Sequence, residues 1–295
     1  MGHPEGLAVV VVSYRCESLL RDCLRSLREH PPGRPTTIHV VDNASGDGTA
    51  EMVAREFGEV DLRANDRNLG FGTANNLAIR DTDSRYVLVL NPDTRITAGA
   101  LDRLLEIMDS RPEVGMCGPR LVLEDGSIDH AAKRSFPTPL SALGHFTGIG
   151  RRRDSGTLAA YRAPDVEAGR VDAVNGAFML IRRAALDAVG LFDEGYWMYM
   201  EDLDLSYRFA RAGWVTWYEP GVTVIHVKAG TTGGGRGVRL DAAFHYGMYR
   251  FYRKHYAPHR NPLVNTAIYC GIAVKLAISV TRGAVRRLAR RLRGA

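Results

Sequence analysis

The stretch Leu7–Ser13 reads LAVVVVS, an unbroken apolar run made mostly of β-branched valines. Such a run is typical of a parallel strand that is buried on both faces. Tyr86–Leu90 (YVLVL) has the same character, and Thr37–Asp42 is a further predicted strand. Between them, Ser18–Arg28 carries leucines at helical spacing, at positions 19, 20, 24 and 27. This alternation predicts an α/β fold with a mostly parallel central sheet and helices on both faces.

The second half of the chain is less regular than the first. Ser135–Asp165 is rich in Gly, Pro, Ser and Arg and has little periodicity, so we expect a long loop near the functional site. Regular structure is predicted to return at Val171–Arg183. A helix is predicted from about Glu201 to Ala212, followed by one strand to Glu219 and a separate strand at Val222–Val227.

Composition and charge narrow the function classes. The 295 residues include 4 cysteines and no CxxC pair, so neither a zinc knuckle nor a disulfide framework is predicted, and a reducing, cytoplasmic setting fits. We expect no signal peptide, because Leu7–Val12 is too short for its apolar segment. The net charge of +6 equals the number of arginines after residue 281, so the preceding residues carry almost no net charge. A body without a basic cleft argues against nucleic acid as a partner.

Polar residues follow three of the predicted strands. Ser13 and Tyr14 end the first strand, Asp42 ends the second, and Asn91-Pro92-Asp93 follows Tyr86–Leu90. Ligands of open parallel sheets bind beyond the carboxyl ends of the strands, so these groups are predicted to line one crevice. Asp42 has the chemistry to accept a hydrogen bond from the N–H of a pyrimidine base. The alternative is a plain Asx turn at the start of a helix.

The stretch Asn68–Asn76 reads NLGFGTANN and opens a predicted helix. Backbone N–H groups at a helix start suit a phosphate or a ribose, with Gly70 and Asn75 as candidate contacts. It is not a dinucleotide fingerprint, because Asn75 occupies the third glycine position. A tight turn followed by an Asn-rich helix start explains the same residues without a ligand.

Asp93 and His226 are the candidate metal ligands. Asp93 follows a proline-fixed turn, and one carboxylate together with diphosphate oxygens is a plausible shell for Mg²⁺ or Mn²⁺. His226 ends an apolar strand and precedes a loop rich in glycine and threonine. The alternatives are an Asx-Pro turn for Asp93 and a satisfied core histidine for His226.

Glu201-Asp202-Leu203-Asp204 is the most acidic cluster of the chain. A carboxylate at a helix start in a crevice is suited to be a general base. Compensation of the helix dipole is the alternative, because acidic residues in a first turn are favourable. The preceding Tyr196–Met200 (YWMYM) favours a half-buried pocket wall over a solvated face.

Taken in order, these motifs resemble family 2 of the glycosyltransferases, which have the GT-A fold. The resemblance covers roughly residues 7–235 and rests on VVVVSY, VVDNASGDGT, NLGFGTANN, VLVLNPD, VNGAFMLIRR, GLFDE, YMEDLDLSYR and HVKAGTTGG. It implies a nucleotide-sugar donor and a divalent metal, Mg²⁺ or Mn²⁺. Matching positions imply that Asp42 holds the nucleotide base and that Asn68 and Asn75 line the nucleotide-sugar pocket. They imply that Asn175 and Gly176 lie near the donor sugar and the acceptor. They also imply that Asp93 and His226 bind metal or diphosphate, and that Asp202, beside Glu201, is the general base of the reaction. Asn91 stands where the family's DxD motif has its first acidic residue.

Within that family the motifs look most like bacterial rhamnosyltransferases that act on lipid-linked sugars. The resemblance therefore implies inverting transfer of rhamnose from dTDP-rhamnose to a lipid-linked saccharide such as polyprenyl-diphosphate-GlcNAc. Two rivals are a sugar nucleotidyltransferase and a non-catalytic scaffold that binds sugar or lipid. The first would need a glycine-rich basic signature, which Val9–Cys16 lacks. The second is disfavoured by the intact Asp93, Asp202 and His226.

The C-terminal residues form a separate segment. Leu263–Thr281 is mostly apolar and close to the about 20 residues that span a bilayer, although Lys275 argues against spanning. Six arginines follow, at 282, 286, 287, 290, 291 and 293. We predict a GT-A domain over 1–262 and a helical tail over 263–295 that binds an anionic membrane surface, on the inner face of the plasma membrane. Packing on the body, or a homo-oligomer contact, is the alternative.

Overall fold

The computed structural model describes residues 4–137, 167–228 and 237–293, with the side chains of the last helix described up to residue 285. The helices, named α1 to α8 here, are Glu17–Glu29, Thr49–Glu56, Phe71–Arg80, Ala100–Ser110, Arg183–Val189, Glu201–Arg211, Val238–His255 and Pro262–Arg293. The strands β1 to β11 are Leu7–Ser13, Thr36–Asp42, Asp61–Ala64, Tyr86–Leu90, Thr94–Arg95, Val114–Val122, Lys133–Arg134, Gly169–Val171, Ala173–Val174, Phe178–Arg182 and Val215–His226. Ala257–His259 is a 3₁₀ turn. The predicted long loop at Ser135–Asp165 lies almost wholly outside the described residues.

One sheet organises the molecule, in the order β3-β2-β1-β4-β10-β6-β11-β5, with β8 also paired to β11. Strands β1 to β4 are mutually parallel, and β6 and β11 run in the same direction. Strand β10 is inserted antiparallel between β4 and β6. The predicted α/β fold with a mostly parallel sheet is therefore confirmed.

The two faces of the sheet carry separate apolar layers. In β1, Leu7, Val9 and Val11 pack with α1, α2 and α4, whereas Val10 packs on the opposite side with α3, α5 and α6. Successive side chains of a strand point to opposite faces, so a strand covered on both sides needs an unbroken apolar run. This is the physical reason for the LAVVVVS sequence, and it confirms helices on both faces.

The prediction of two strands over 215–227 was wrong. Strand β11 is continuous, and its pairing with β6 shifts register between Glu219 and Thr223. The shift contains Pro220, which has no N–H to donate to a ladder, and Gly221, whose N–H is accepted by the Glu219 side chain at 2.9 Å. A bulge absorbs these residues without ending the strand.

The C-terminal segment is one long helix, α8, whose first part lies antiparallel to α7. The Tyr252 hydroxyl donates to Asn265 Oδ1 at 2.7 Å, and the rings of Tyr249 and Tyr269 are 5.1 Å apart. Within Pro262–Val285, an 18-residue window has a mean hydropathy of 1.7 and only 6 % of that window is buried, so by length and composition α8 could cross a membrane. The separation of 1–262 from 263–295 as two units stays a prediction.

Candidate active site

The carboxyl ends of β1 and β2 lie side by side, because Ser13 and Asp42 are register partners. Both side chains are buried. Asp42 accepts hydrogen bonds from the backbone and the hydroxyl of Ser45, and that hydroxyl accepts from the backbone N–H of Arg15 at 2.9 Å. The half-buried ring of Tyr14 lies next to this junction. The Asp42 side chain thus caps the turn that follows it, as the Asx-turn alternative predicts. This turn lies where a nucleotide base is predicted to bind.

The NLGFG loop is fixed against the segment that precedes α6. Asn68 Oδ1 accepts from the Gly70 N–H at 2.9 Å, and the Trp197 carbonyl accepts from the Phe71 N–H at 2.9 Å. Gly70 has φ +86, and a Cβ there would lie 2.2 Å from the Trp197 carbonyl oxygen. No other residue fits that position. Asn75 is fully buried, and its Oδ1 has no hydrogen-bond partner among the described residues.

A turn after β4 brings Asp93 towards β11. The Asn91 carbonyl accepts from the Thr94 hydroxyl at 2.7 Å, which closes the turn, and the Asn91 N–H donates to the Ala177 carbonyl. Asp93 is 9 % exposed, and its Oδ1 lies 3.4 Å from His226 Nε2. That separation is an ion-pair distance without hydrogen-bond geometry, so Asp93 Oδ1 is a buried acceptor without a hydrogen-bond partner in the described structure.

His226 is oriented by a carboxylate that the sequence did not reveal. Asp129 Oδ2 lies 2.9 Å from His226 Nδ1, and Asp129 Oδ1 accepts from the Lys228 ammonium at 2.6 Å. Burial opposes the charge on each group. The hydrogen bonds and charges of the partners nevertheless hold the pKa of Asp129 far below its usual range and raise the pKa of His226 to about 9. A hydrogen bond from Nδ1–H to Asp129 leaves Nε2 directed at Asp93.

These residues fit a divalent metal, because a carboxylate that holds a histidine by its second nitrogen is the usual support of a metal-binding imidazole. Asp93 Oδ1 adds a hard oxygen donor with no competing hydrogen bond. In the ranges that the structure describes, no group of three or more His, Cys, Asp and Glu residues is placed to hold a metal ion. Among the described residues, Asp93 and His226 are the two candidate ligands, and diphosphate oxygens and water would complete the shell.

The acidic cluster opens α6 after two left-handed residues, Tyr199 at φ +71 and Met200 at φ +73. Asp202 Oδ2 accepts from the Gly176 N–H at 3.0 Å and pairs with the Arg134 guanidinium. Asn175 braces the same turn, since its Nδ2 donates to the Ala131 carbonyl at 3.1 Å. Sequence reasoning missed Arg134, which lies on β7, just before the long loop predicted at Ser135–Asp165.

The other two carboxylates of the cluster have different surroundings. Glu201 is 5 % exposed, and its Oε2 has no partner among the described groups. Burial and the neighbouring charge of Asp202 raise the pKa of Glu201 well above its usual range. Asp204 points away towards α7, where Lys254 and His255 bind it at 2.8 and 2.7 Å, and Arg208 one turn further along α6 binds it at 2.8 Å. Asp204 is therefore a structural anchor, and Glu201 and Asp202 are the members of the cluster that stay candidate site residues.

The 175–177 turn links the two halves of the crevice. The Gly176 N–H donates to Asp202, and the next carbonyl, of Ala177, accepts from the Asn91 N–H at 2.9 Å. Backbone strain is concentrated at the same edge of the sheet. In the described chain, the non-glycine residues with positive φ are Arg15, Ala44, Tyr199, Met200 and Lys228, which follow β1, β2 and β11 or precede α6. Strain of this kind persists where function requires a fixed geometry.

The sequence comparisons agree with one another. The model of Glycosyl transferase family 2 matches residues 8–189. The chain is 35 % identical over 259 residues to the N-acetylglucosaminyl-diphospho-decaprenol L-rhamnosyltransferase of Mycobacterium tuberculosis, covering 83 % of each chain. It is 30 % identical over 164 residues to the rhamnosyltransferase WbbL of Escherichia coli, covering 53 % of this chain and 60 % of that one.

Solved structures show the same fold at low identity. A crystal structure of GalNAc-T7 with UDP, GalNAc and Mn²⁺ matches with a TM-score of 0.62 at 16 % identity, covering 84 % of this chain and 48 % of that one. The mannosyltransferase PcManGT from Pyrobaculum calidifontis, in complex with GDP-Man and Mn²⁺, matches with a TM-score of 0.56 at 17 % identity, covering 98 % and 76 %. Because the family model spans more than half of the chain, and the mycobacterial relative aligns over most of both proteins, this chain belongs to glycosyl transferase family 2 and has the GT-A fold.

Proposed function

We propose that this protein catalyses inverting transfer of rhamnose from dTDP-rhamnose to a lipid-linked saccharide such as polyprenyl-diphosphate-GlcNAc. The observation that supports transfer is the pairing of two half-sites on one edge of the sheet. Asp93 and His226 form one half and Asp202 the other, and the 175–177 turn joins them. The choice of rhamnose and of a polyprenyl acceptor rests on the similarity to the mycobacterial enzyme.

Asp202 is the proposed base. An acceptor hydroxyl that replaces the Arg134 guanidinium at Asp202 Oδ2 gives up its proton to that carboxylate as its oxygen attacks the anomeric carbon. A new carbon–oxygen bond forms on the face opposite the leaving group, and the bond to the diphosphate breaks with its electron pair on the diphosphate. One base is sufficient, because no covalent enzyme intermediate forms.

The other crevice residues bind and orient the donor. We assign Asp42, Ser13 and Tyr14 to the nucleoside and Asn68 and Asn75 to the nucleotide sugar, and the buried Asn75 Oδ1 has no hydrogen-bond partner among the described residues. Asp93 and His226 would hold Mg²⁺ or Mn²⁺, which when bound neutralises charge on the departing diphosphate. Glu201, kept protonated by burial, limits the negative charge beside Asp202.

Helix α8 is the proposed membrane contact, which would place the enzyme on the cytoplasmic face of the plasma membrane. Its packed face carries Asn265 and Tyr269 against α7, whereas Leu263, Val274 and Ile278 on its other face are exposed. Basic residues flank both ends, with Arg260 before the helix and the arginine-rich stretch from Arg282 at its end. Cytoplasmic segments carry the excess of positive charge, so a helix that is basic at both ends favours lying in the interface over crossing.

The experiment for the donor is a thermal-shift panel with Mg²⁺ or Mn²⁺, combined with identification of the released nucleotide. A ligand at 100 times its dissociation constant stabilises the native state by about 2.7 kcal/mol. We expect dTDP-rhamnose to raise the melting temperature most and to be turned over slowly to dTDP. Consumption of a nucleoside triphosphate and a sugar phosphate would indicate a nucleotidyltransferase instead. Stabilisation without any turnover would indicate a binding scaffold.

A further inference from the structure

A cavity lies on the side of α6 that faces away from Asp202. It has a volume of about 790 Å³ and is formed by the second half of α6, the end of α7 and the turn before α8. Of the described residues that line it, six are basic and none is acidic. Cavities of this size take small ligands, and this lining selects an anion.

Three of the basic side chains have partners inside the protein. Arg208, Lys254 and His255 all bind the buried Asp204. The other three, Arg211, His259 and Arg260, are exposed, and their side chains make no hydrogen bond or ion pair with the described part of the chain. The inner wall is therefore preorganised, and the rim carries positive charge that is not paired with a carboxylate of the described residues.

The cavity lies next to the start of α8, and this position indicates which kind of anion it would meet. Arg260 lies two residues before α8 begins, and α8 carries the exposed apolar side chains proposed to enter the membrane. The rings of Tyr207 and Tyr256, 5.8 Å apart, also line the cavity. Tyrosine and arginine side chains next to an apolar membrane-binding helix are typical of protein surfaces that lie at the headgroup level of a bilayer.

We propose that this cavity binds the phosphate headgroup of an anionic phospholipid and thereby sets the orientation of the catalytic domain on the membrane. The proposal rests on the membrane contact of α8 that is part of the proposed function. It does not concern the acceptor's diphosphate. Arg211 lies nine residues beyond Asp202 on α6, roughly 13 Å along the axis and half a turn around it, so one sugar held at Asp202 does not connect the two sites.

The test is co-sedimentation of the full chain with vesicles of phosphatidylcholine alone or mixed with phosphatidylglycerol. Arg211→Gln combined with Arg260→Gln removes the unpaired rim charge. Each surface arginine contributes about fivefold to affinity for an anionic membrane, so we expect a loss of roughly 30-fold. The control, Arg55→Gln combined with Arg103→Gln, makes the same charge change at side chains 65 % and 62 % exposed on α2 and α4. It should retain binding to within about twofold.

A third variant separates a cavity from a diffuse basic patch. Ala212→Trp, at an exposed lining position, fills the cavity and leaves the charge unchanged. We expect it to lose most of the preference for phosphatidylglycerol, and normal preference would overturn the proposal. Arginine variants that bind like the wild type would overturn it as well. Thermal unfolding of each variant verifies the fold.

Two further readouts distinguish other anions and the catalytic proposal. If dTDP stabilises the wild type but not the Arg211→Gln, Arg260→Gln variant, the cavity is a nucleotide site and the proposal is wrong. If the wild type does not sediment with vesicles of either composition, the proposal is also wrong. Release of dTDP from dTDP-rhamnose by the same samples reports the catalytic proposal independently, because no residue of the candidate active site lines the cavity.

Discussion

Replacing Asp129 by Asn tests the support of the candidate metal site without touching a candidate ligand. Asp129 is 2 % exposed and binds the His226 ring nitrogen, the Lys228 ammonium and the Ala131 N–H at 2.9, 2.6 and 2.9 Å. Asn keeps the shape but removes the charge that fixes the imidazole and raises its pKa. Loss of a carboxylate behind a metal-binding histidine lowers metal affinity by about 10- to 100-fold. Removing one partner of a buried ion pair lowers the free energy of unfolding by about 3 kcal/mol. The loss should be smaller here, because Lys228 is 45 % exposed and water screens its charge.

The assay for Asp129→Asn is the Mn²⁺ concentration that gives half-maximal release of dTDP from dTDP-rhamnose, together with urea unfolding. We expect the half-maximal concentration to rise at least tenfold, with activity recovered at saturating metal. Asp125→Asn is the matched control, because Asp125 lies in the same hairpin, is exposed, and binds the backbone and hydroxyl of Ser127. An unchanged Mn²⁺ requirement in Asp129→Asn would refute the assignment of His226 as a ligand oriented by Asp129.

Three further substitutions probe the crevice. Asp202→Asn should lower turnover by roughly 100- to 10,000-fold with dTDP-rhamnose affinity nearly unchanged, as measured by kinetics and calorimetry; near-normal turnover would exclude Asp202 as the base. Gly70→Ala should lower the free energy of unfolding, measured with urea, by more than about 3 kcal/mol, because the added Cβ meets the Trp197 carbonyl. Gly46→Ala is the control, since Gly46 also has positive φ but lies in open space, and it should lower the same free energy by about 1 kcal/mol. Burial raises the pKa of Glu201 in the native state, which favours the protonated form. The native state is therefore penalised as pH rises above the ordinary value of 4.5, and Glu201→Gln should gain stability relative to the wild type between about pH 4 and about pH 8. A difference in free energy of unfolding between Glu201→Gln and the wild type that is the same at about pH 4 and about pH 8 would contradict this.

The sheet was predictable because its strands are apolar on both faces. Val9, Val10 and Val11 are all fully buried, which periodicity alone could indicate. Strand direction was not predictable in this way, and the antiparallel insertion of Phe178–Arg182 between two parallel strands leaves no trace in its composition. The Pro220 bulge was misread as a strand end, because a proline stops a regular ladder and only tertiary pairing shows that the strand resumes.

The candidate site was predictable where topology alone places a residue. Ser13, Asp42 and Asp93 follow parallel strands, so the sheet brings them to one edge. Asp129 and Arg134 lie before the long loop predicted at Ser135–Asp165, where no helix or strand was predicted, and they reach their partners His226 and Asp202 across 97 and 68 residues of sequence. The Asp125-Gly126 turn, with Gly126 at φ +81, folds this segment back on β6 through the antiparallel bridge between Val122 and Ile128.

The most direct measurement of the central claim is transfer of labelled rhamnose. The purified full chain is incubated with radiolabelled dTDP-rhamnose, polyprenyl-diphosphate-GlcNAc and Mn²⁺, and the lipid product is isolated and its anomeric configuration determined by NMR. We predict label in the lipid fraction, inversion of configuration relative to the donor, and loss of both label and dTDP release in Asp93→Ala, because that carboxylate would hold the metal that neutralises charge on the departing diphosphate. Retained configuration, or dTDP release with no label in any lipid-linked saccharide, would contradict the account.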